Sequence, residues 1–578
     1  MELSHIDDLP LGSLESALAD FTTDAVPLLS PEEAIDLHNE LDHFIANEGP
    51  LLEAKLHAML NALQAKNNHK NWLHEFWINS YLSERAPIQT ALNYCTHIEN
   101  PLMHHAQDPA ENLAQWMLNV ALTYSRIRKK KPRFFRRGNR NFCIEQALPF
   151  FECIRQPKAD IDECQMAEAM LDQIALHYHG KIYLAKVLDK KCHPVDLSSL
   201  KDCIQQIFSN QTSSGTANNF SVIADLGSDA ANQFLSDWLP EGDNKEQFNE
   251  LTQCICHIYI SDSPYNESIE AVQATLMNSQ GHLWPYIPLN FIFWVNSEIS
   301  LLTEHSLIDA TTLGFLVNEM KQANSEKKRI KKPAAEIKPV EFSYSENSLQ
   351  QLATAKNNSI IKPNYYQSDN LTLNFSHDHY SIDALAQLMF QFAQYQIDGT
   401  LRSIYAPCAM NHFHLGRTET IRSISGASKA FIKAFTEGLF DNDLFIKSID
   451  EYRLHIKRTK IGKGYQRHLT LLKHFAEEDA ETCDFFQSTA WSKLAENFYS
   501  TSNAGELGNP FNQFYFVPPA GAKIGIGYLI KDTTLRICSM TYQKDKDYLH
   551  ETSQQFNEFV KRINPHIDAL YHSTHASN

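Results

Sequence analysis

His412-Phe413-His414-Leu415-Gly416-Arg417-Thr418-Glu419-Thr420-Ile421-Arg422-Ser423 is the stretch on which the reading of this chain turns. It gathers two arginines, two threonines and a glutamate into a short span headed by a glycine. A solvated surface face has little use for that mixture. Neither the alternation of a half-buried strand nor the stripe of an amphipathic helix accounts for it. Charges and hydroxyls gathered without a period point to a site.

Upstream, Phe293-Trp294 and Ile299-Ser-Leu-Leu-Thr303 lead into Glu304-His305-Ser306-Leu307-Ile308-Asp309. Leu313, Leu316, Val317 and Met320 then take helical spacing. His305 is therefore expected where a strand hands over to a helix, a frequent station for a reactive side chain. Asp309 lies four residues on and reaches the imidazole if the turn between them is helical. Its carboxylate would orient the ring and leave the other nitrogen free as a base. Alone, His-x-x-x-Asp equally describes a histidine that caps a helix.

Further out, Ser30-Pro31-Glu32-Glu33 reads as a capped helix start with proline in the first turn, within a helical region over 12–66. Between about 180 and 305 strands and helices mix. Ser325–Pro339 is polar and basic and reads as the linker between two halves, 1–335 and 336–578. Ser381 opens a helix with Leu385, Leu388, Met389 and Phe392 on one face. Ile524/Ile526/Tyr528/Ile530 and Leu535/Ile537/Ser539/Thr541 alternate around Asp532-Thr-Thr534 and predict a hairpin. No internal repeat is visible. The fold class is α/β or α+β in two halves of similar size.

At 578 residues the chain supports more than one core. Hydrophobic residues at 43% and charged ones at 21% are ordinary for a globular protein, and the net charge of −18 argues against a nucleic-acid binder. One local exception is the basic run from Arg126 to Arg140, either a solvated loop or a patch for a phosphate-bearing partner or membrane surface. Eleven scattered cysteines fit a reducing compartment. Cys254-Ile-Cys256-His257 lacks zinc-knuckle spacing and reads as a buried strand, and the pairs His177/His179, His377/His379 and His412/His414 offer no stronger metal pattern, so no metal is expected. No run has the length of a membrane span. The N-terminus lacks a signal-peptide pattern and the C-terminal Ser-Asn is no peroxisomal address, so the cytoplasm is the expected location of a monomer.

Glu304-His305 with Asp309, Gly416-Arg-Thr-Glu-Thr-Ile-Arg-Ser423, Leu9-Pro10, Pro27–Glu33, Asn71-Trp72 and Arg85-x-Pro87 together resemble the carnitine/choline acyltransferase family. The motifs run in the family's order over most of the chain, the basic segment at 126–140 being the clearest departure. The resemblance implies two tandem α/β sandwich domains, each similar to chloramphenicol acetyltransferase, with a substrate tunnel at their interface. It implies acyl transfer between coenzyme A sulfur and the hydroxyl of a quaternary-ammonium alcohol, with His305 as general base, and coenzyme A or acyl-CoA as co-substrate rather than resident cofactor.

Residue by residue, the resemblance assigns Tyr405, Thr418 and Arg467 to the carboxylate of a carnitine-like acceptor. A buried carboxylate needs a cation and hydroxyl donors, and these three supply them. Ser500-Thr501-Ser502 resembles the family's Ser-Thr-Ser, which lines the trimethylammonium and oxyanion region, with Ser500 stabilising the oxyanion. On the donor side Ser381, Asp383, His377, His379 and Asn503 fall at coenzyme A-binding positions. The lysines that family members carry before that helix are absent from Asn374–Asp383, and Ala406-Pro407 and Ala409 stand where polar residues are usual. The altered Tyr515-Phe516-Val517-Pro518-Pro519 leaves acyl-chain length open. Three readings remain: carnitine O-acyltransferase; the same acceptor site with another donor or acceptor; or a silent relative that binds a ligand or partner.

Overall fold

The computed structural model describes residues 6–65, 71–102, 106–129, 136–137, 140–209, 220–276, 283–323, 332–358, 363–367, 371–373, 381–479, 483–504 and 509–575. Two sheets organise them. The first has eight strands, in the order Glu336–Val340, Lys181–Lys186, Gln173–Tyr178, His257–Ser261, Leu289–Trp294, Ile299–Thr303, Tyr94–Ile98 and Phe511–Phe516. The second has seven, running Pro363–Gln367, Thr534–Tyr542, Ile524–Lys531, Tyr499–Asn503, Ile404–Ala409 and Thr418–Arg422, with Leu371–Thr372 also paired to Thr534–Tyr542.

The halves share one pattern. In each, a central strand runs parallel to both neighbours, and each neighbour forms an antiparallel pair with the next strand out. His257–Ser261 is that strand in the first sheet and Tyr499–Asn503 in the second. Parallel neighbours need crossovers, and the crossover helices cover the sheets. Pro109–Arg128, Leu197–Ser209 and Ala310–Gln322 pack in the first core, and Ile382–Asp398 and Lys546–His575 in the second. This is the tandem α/β sandwich arrangement.

Local signals explain the elements. Ser30 Oγ accepts from the Glu33 amide at 3.2 Å while Glu33 Oε2 accepts from the Ser30 amide at 2.8 Å, a closed capping box. Ser381 caps Ile382–Asp398, whose Leu385, Leu388, Met389 and Phe392 are buried. That helix stops at Gly399 in the left-handed region, φ 67°. The hairpin turns at Asp532, φ 51°, with Lys531 opposite Thr534.

Four expectations need amending. Thr418–Arg422 is a strand; its period is hidden because four of its five residues are buried. Cys254 and Cys256 precede the buried strand His257–Ser261 instead of lying in it. The first part of the basic linker, 325–331, falls outside the described residues, and its far end continues into Glu336–Val340, which pairs with Lys181–Lys186 at the edge of the first sheet. A single cut at residue 335 does not separate the packing units. Phe511–Phe516 closes the first sheet by pairing with Tyr94–Ile98, and the helices of 14–65 bury their apolar faces against 465–494. Among the described residues no helix is long and apolar enough to cross a membrane. Of the basic run, Arg126 and Arg128 pair with Glu319 and Glu152, while 130–135 and 138–139 fall outside the described residues.

Candidate active site

A cavity of about 1350 Å³ opens between the two halves. His305, Asp309, Ser381, Asp383, Tyr405, Thr418, Ser500, Thr501, Ser502 and Asn503 all line it. Arg467 borders a small adjoining cavity of about 20 Å³ that shares Thr418. His377 and His379 lie outside the described residues.

His305 sits in the loop between Ile299–Thr303 and Ala310–Gln322. The loop is not helical, so Asp309 does not reach the ring as a helical neighbour would. Nδ1 instead faces the Ile308 carbonyl at 2.5 Å, with the nearer Asp309 oxygen at 3.9 Å. A carbonyl can only accept, so Nδ1 carries the proton and Nε2 is left with a free lone pair. The ring is pinned edge-on by Tyr81 and Tyr94, with centroids at 5.2 and 4.9 Å. Burial pushes the His305 pKa below the ordinary 6.5; the Asp309 charge pulls it up and Arg417 pushes it down. A neutral imidazole near pH 7 follows.

Arg417 clamps this loop from the other half. Its Nε donates to Asp309 Oδ2 at 2.7 Å, Nη1 to the Ser306 carbonyl at 2.5 Å and Nη2 to the His305 carbonyl at 2.9 Å. Burial would raise the Asp309 carboxyl, yet the Arg417 and His305 charges hold it below 3.8. The opposite side of the loop is held by Arg155, fully buried, which donates to Ser306 Oγ at 3.0 Å and to Asp162 at 2.8 Å, with Glu304 at 3.5 Å. The sequence reading missed Arg155. The available signal was a lone arginine closing the apolar run Phe150-Phe-Glu-Cys-Ile-Arg155.

The acceptor trio comes together. Arg467 Nη2 donates to the Tyr405 hydroxyl at 3.3 Å and Nε to the Thr418 carbonyl at 3.4 Å, while its guanidinium stacks 3.7 Å over the Trp77 ring. Trp77, also missed, holds the cation flat without neutralising it. Ser500 lies opposite Tyr405 in the parallel register. Thr501 fastens those strands, its hydroxyl donating to the Tyr405 carbonyl at 2.8 Å and accepting from Gln387 at 3.1 Å. Arg417, Glu419 and Arg422 do not form one ion network. Arg422 is bound by neutral oxygens of Asn497, Gln466 and Ser403, and burial pushes it down to about 10. Burial raises the Glu419 carboxyl, which accepts from the Thr420 and Arg467 amides.

At the donor positions Asp383 accepts from Tyr528 at 2.6 Å and Tyr452 at 2.9 Å, with Asn503 at 3.5 Å, and Ser381 caps the helix that carries it. These groups build a cavity wall.

A family profile described as Choline/Carnitine o-acyltransferase matches residues 9–562. Carnitine O-acetyltransferase of Rattus norvegicus is 22% identical, covering 86% of this chain and 83% of its own. Mitochondrial carnitine O-palmitoyltransferase 2 of Homo sapiens is 22% identical over 97% of this chain and 91% of its own. A Mycoplasma pneumoniae protein, named provisionally as an acetyltransferase, is 22% identical over 97% and 94%.

Proposed function

The chain belongs to the choline/carnitine O-acyltransferase family, and from that premise we propose that it moves an acyl group between a coenzyme A thioester and the hydroxyl of carnitine or a similar zwitterion, with His305 as general base. The observation that carries this is the shared cavity: a histidine with a free Nε2 from one half faces Tyr405, Thr418 and Ser500 from the other.

In the forward direction Nε2 takes the acceptor's hydroxyl proton as its oxygen attacks the thioester carbonyl carbon. The negative charge collects on the former carbonyl oxygen, where the Ser500 hydroxyl and the acceptor's own cation stabilise it. Collapse breaks the carbon–sulfur bond, and the departing thiolate takes the proton back from the imidazolium. No acyl-enzyme is needed. Tyr405, Thr418 and Arg467 support a carboxylate on the acceptor, because among the described residues no carboxylate of its own half pairs directly with the Arg467 guanidinium. Asp309 and Arg417 position His305; they do not touch substrate.

A second reading keeps the acceptor and changes the donor, and the missing lysines at 374–383 favour it. Thiol release from acetyl-coenzyme A in the presence of L-carnitine, choline or neither tests the proposal. Carnitine-dependent release is expected, and His305→Ala should cost roughly 10²–10⁴ in rate with the fold intact. Full turnover by that variant overturns the mechanism.

A further inference from the structure

Where the two halves meet behind the Gly416 turn, a cysteine, a glutamate and a histidine converge. We propose that Cys143, Glu145 and His414 form a site for one divalent metal ion of the zinc class, which pins the turn before Gly416 to the first half. Their ligand atoms, one from each residue, all lie within 4.8 Å of one another. Zinc holds sulfur at about 2.3 Å and nitrogen or oxygen at about 2.0–2.2 Å, so its ligands stand roughly 3–4 Å apart, and small side-chain shifts close this set. Among the described residues no other group of three such side chains meets that condition. Thiolate with imidazole suits zinc, whereas magnesium and calcium take oxygen ligands. The spacing around His412 and His414 could not signal such a site, because Cys143 stands 272 positions before Leu415.

A plain ion pair between His414 and Glu145 does not account for the cluster. Their Nε2 and Oε2 atoms are 3.2 Å apart, yet both ring nitrogens of His414 are shut off from solvent and neither makes a hydrogen bond among the described residues. A buried imidazole without a partner is costly, and a metal ion would take its lone pair. Cys143 is 3% exposed, and the Leu415 amide donates to its sulfur at 3.3 Å, a bond that would hold a metal-bound thiolate in place. Glu145 has 58% of its side chain exposed, which leaves an entry path for the ion. Water would take the fourth position, or His74, whose Nδ1 is also buried without a partner and which feels the charges of His414 and Glu145. Thiolate and carboxylate together balance a divalent charge, so the filled site adds no net charge near Arg417. None of the three ligands lines the cavity, so the ion would be structural and would not touch substrate. The backbone already joins the same pieces: the Cys143 amide donates to the Asn411 carbonyl at 3.0 Å, and Gln146 donates to the Gly416 carbonyl at 2.5 Å. The ion would fasten this junction three residues before Arg417, which clamps the His305 loop. The inference stands apart from the acyl-transfer reading.

Titration of the full chain, first stripped with a chelator, with zinc or cobalt salt alone tests this. Wild type should take up zinc at one tight site and melt at a higher temperature when it is filled. Cobalt in its place should give the sulfur-to-metal charge-transfer absorption of a thiolate ligand. Cys143→Ser, His414→Gln and Glu145→Gln should each weaken zinc by more than the roughly 10–100-fold that loss of an outer-shell partner costs, and Cys143→Ser should abolish the cobalt absorption. Glu145 is exposed, so Glu145→Gln keeps the test open should either of the other variants fail to fold. Cys164→Ser, on the strand Glu163–Met166, controls for the chain's other thiols and should bind as wild type does. No tight zinc site in wild type, or zinc affinity unchanged in Glu145→Gln and cobalt absorption unchanged in Cys143→Ser, overturns the proposal. Zinc taken up equally by all four variants is adventitious thiol binding and overturns it too.

Discussion

If the proposed acceptor is right, replacing Arg467 by methionine should give a site that no longer distinguishes carnitine from choline. The guanidinium is prepared in advance by Trp77 stacking at 3.7 Å and by bonds to Tyr405 and the Thr418 carbonyl, so the substrate carboxylate meets a cation whose position is already set. A hydrogen bond to a charged group contributes about 1.5–3 kcal/mol, or roughly 10–150-fold. Methionine keeps most of the length of the side chain without its charge, so the loss is chiefly electrostatic. The expected result is a fall of that size in kcat/KM for L-carnitine, mostly through KM, with choline unchanged or improved. Choline is the internal control, since it has the cation and the hydroxyl but no carboxylate. Glu419 gives a second readout: Arg467 is the largest influence holding its buried carboxyl down, so the variant should protonate Glu419 more readily. Equal losses for carnitine and choline would show that Arg467 only supports the fold, and no loss for either would remove the carboxylate from the acceptor altogether.

Asp309→Asn should move the acid limb of kcat/KM to lower pH. His305 is active when neutral, so the rate falls as pH drops through its depressed pKa, and Asp309 is the charge that raises that pKa; a limb that moves to higher pH refutes the assignment. Arg417→Met should destabilise the protein by up to about 3 kcal/mol in denaturant unfolding near neutral pH, because the half-buried Asp309 loses its arginine. The Asp309 carboxyl is depressed in the folded state, so the stability it confers is present above 3.8 and is lost as pH falls through its folded value. The gap between wild type and variant should therefore narrow in acid, and adding Asp309→Asn to Arg417→Met should recover part of the loss.

The sequence revealed those parts of the fold and site that are written locally. Capping boxes, the helix after Ser381 and the hairpin at Asp532 are each specified by residues within one or two turns of each other, and each is present. The resemblance implied two similar halves, but their shared sheet pattern left no repeat in the sequence itself, because parallel pairing depends on crossovers rather than on repeated side chains. Thr418–Arg422 hid its strand period for a related reason: burial on both faces removes the alternation that marks a half-exposed strand. Within the site the resemblance named the residues that would touch substrate, while the groups that aim them escaped. Arg155 and Trp77 act across roughly 150 and 390 positions of sequence, distances at which spacing has no meaning.

Those long-range contacts explain why the opening motif has its odd composition. Its glycine is required by a close approach: a Cβ on Gly416 would stand 2.1 Å from the Met410 carbonyl oxygen. The turn before it carries Leu415 at φ 49°, and Asn71 donates to the His414 and Leu415 carbonyls at 3.1 and 2.8 Å. Gln146 donates to the Gly416 carbonyl at 2.5 Å and accepts from Thr312 on the helix behind His305. The tight turn thus delivers Arg417 into the histidine loop of the other half, and two residues of that half hold the turn in place. Thr418, next in sequence, lines the cavity between the halves. One strand end therefore fixes the His305 loop with one residue and lines the cavity with the next. A displacement of this turn would disturb both together.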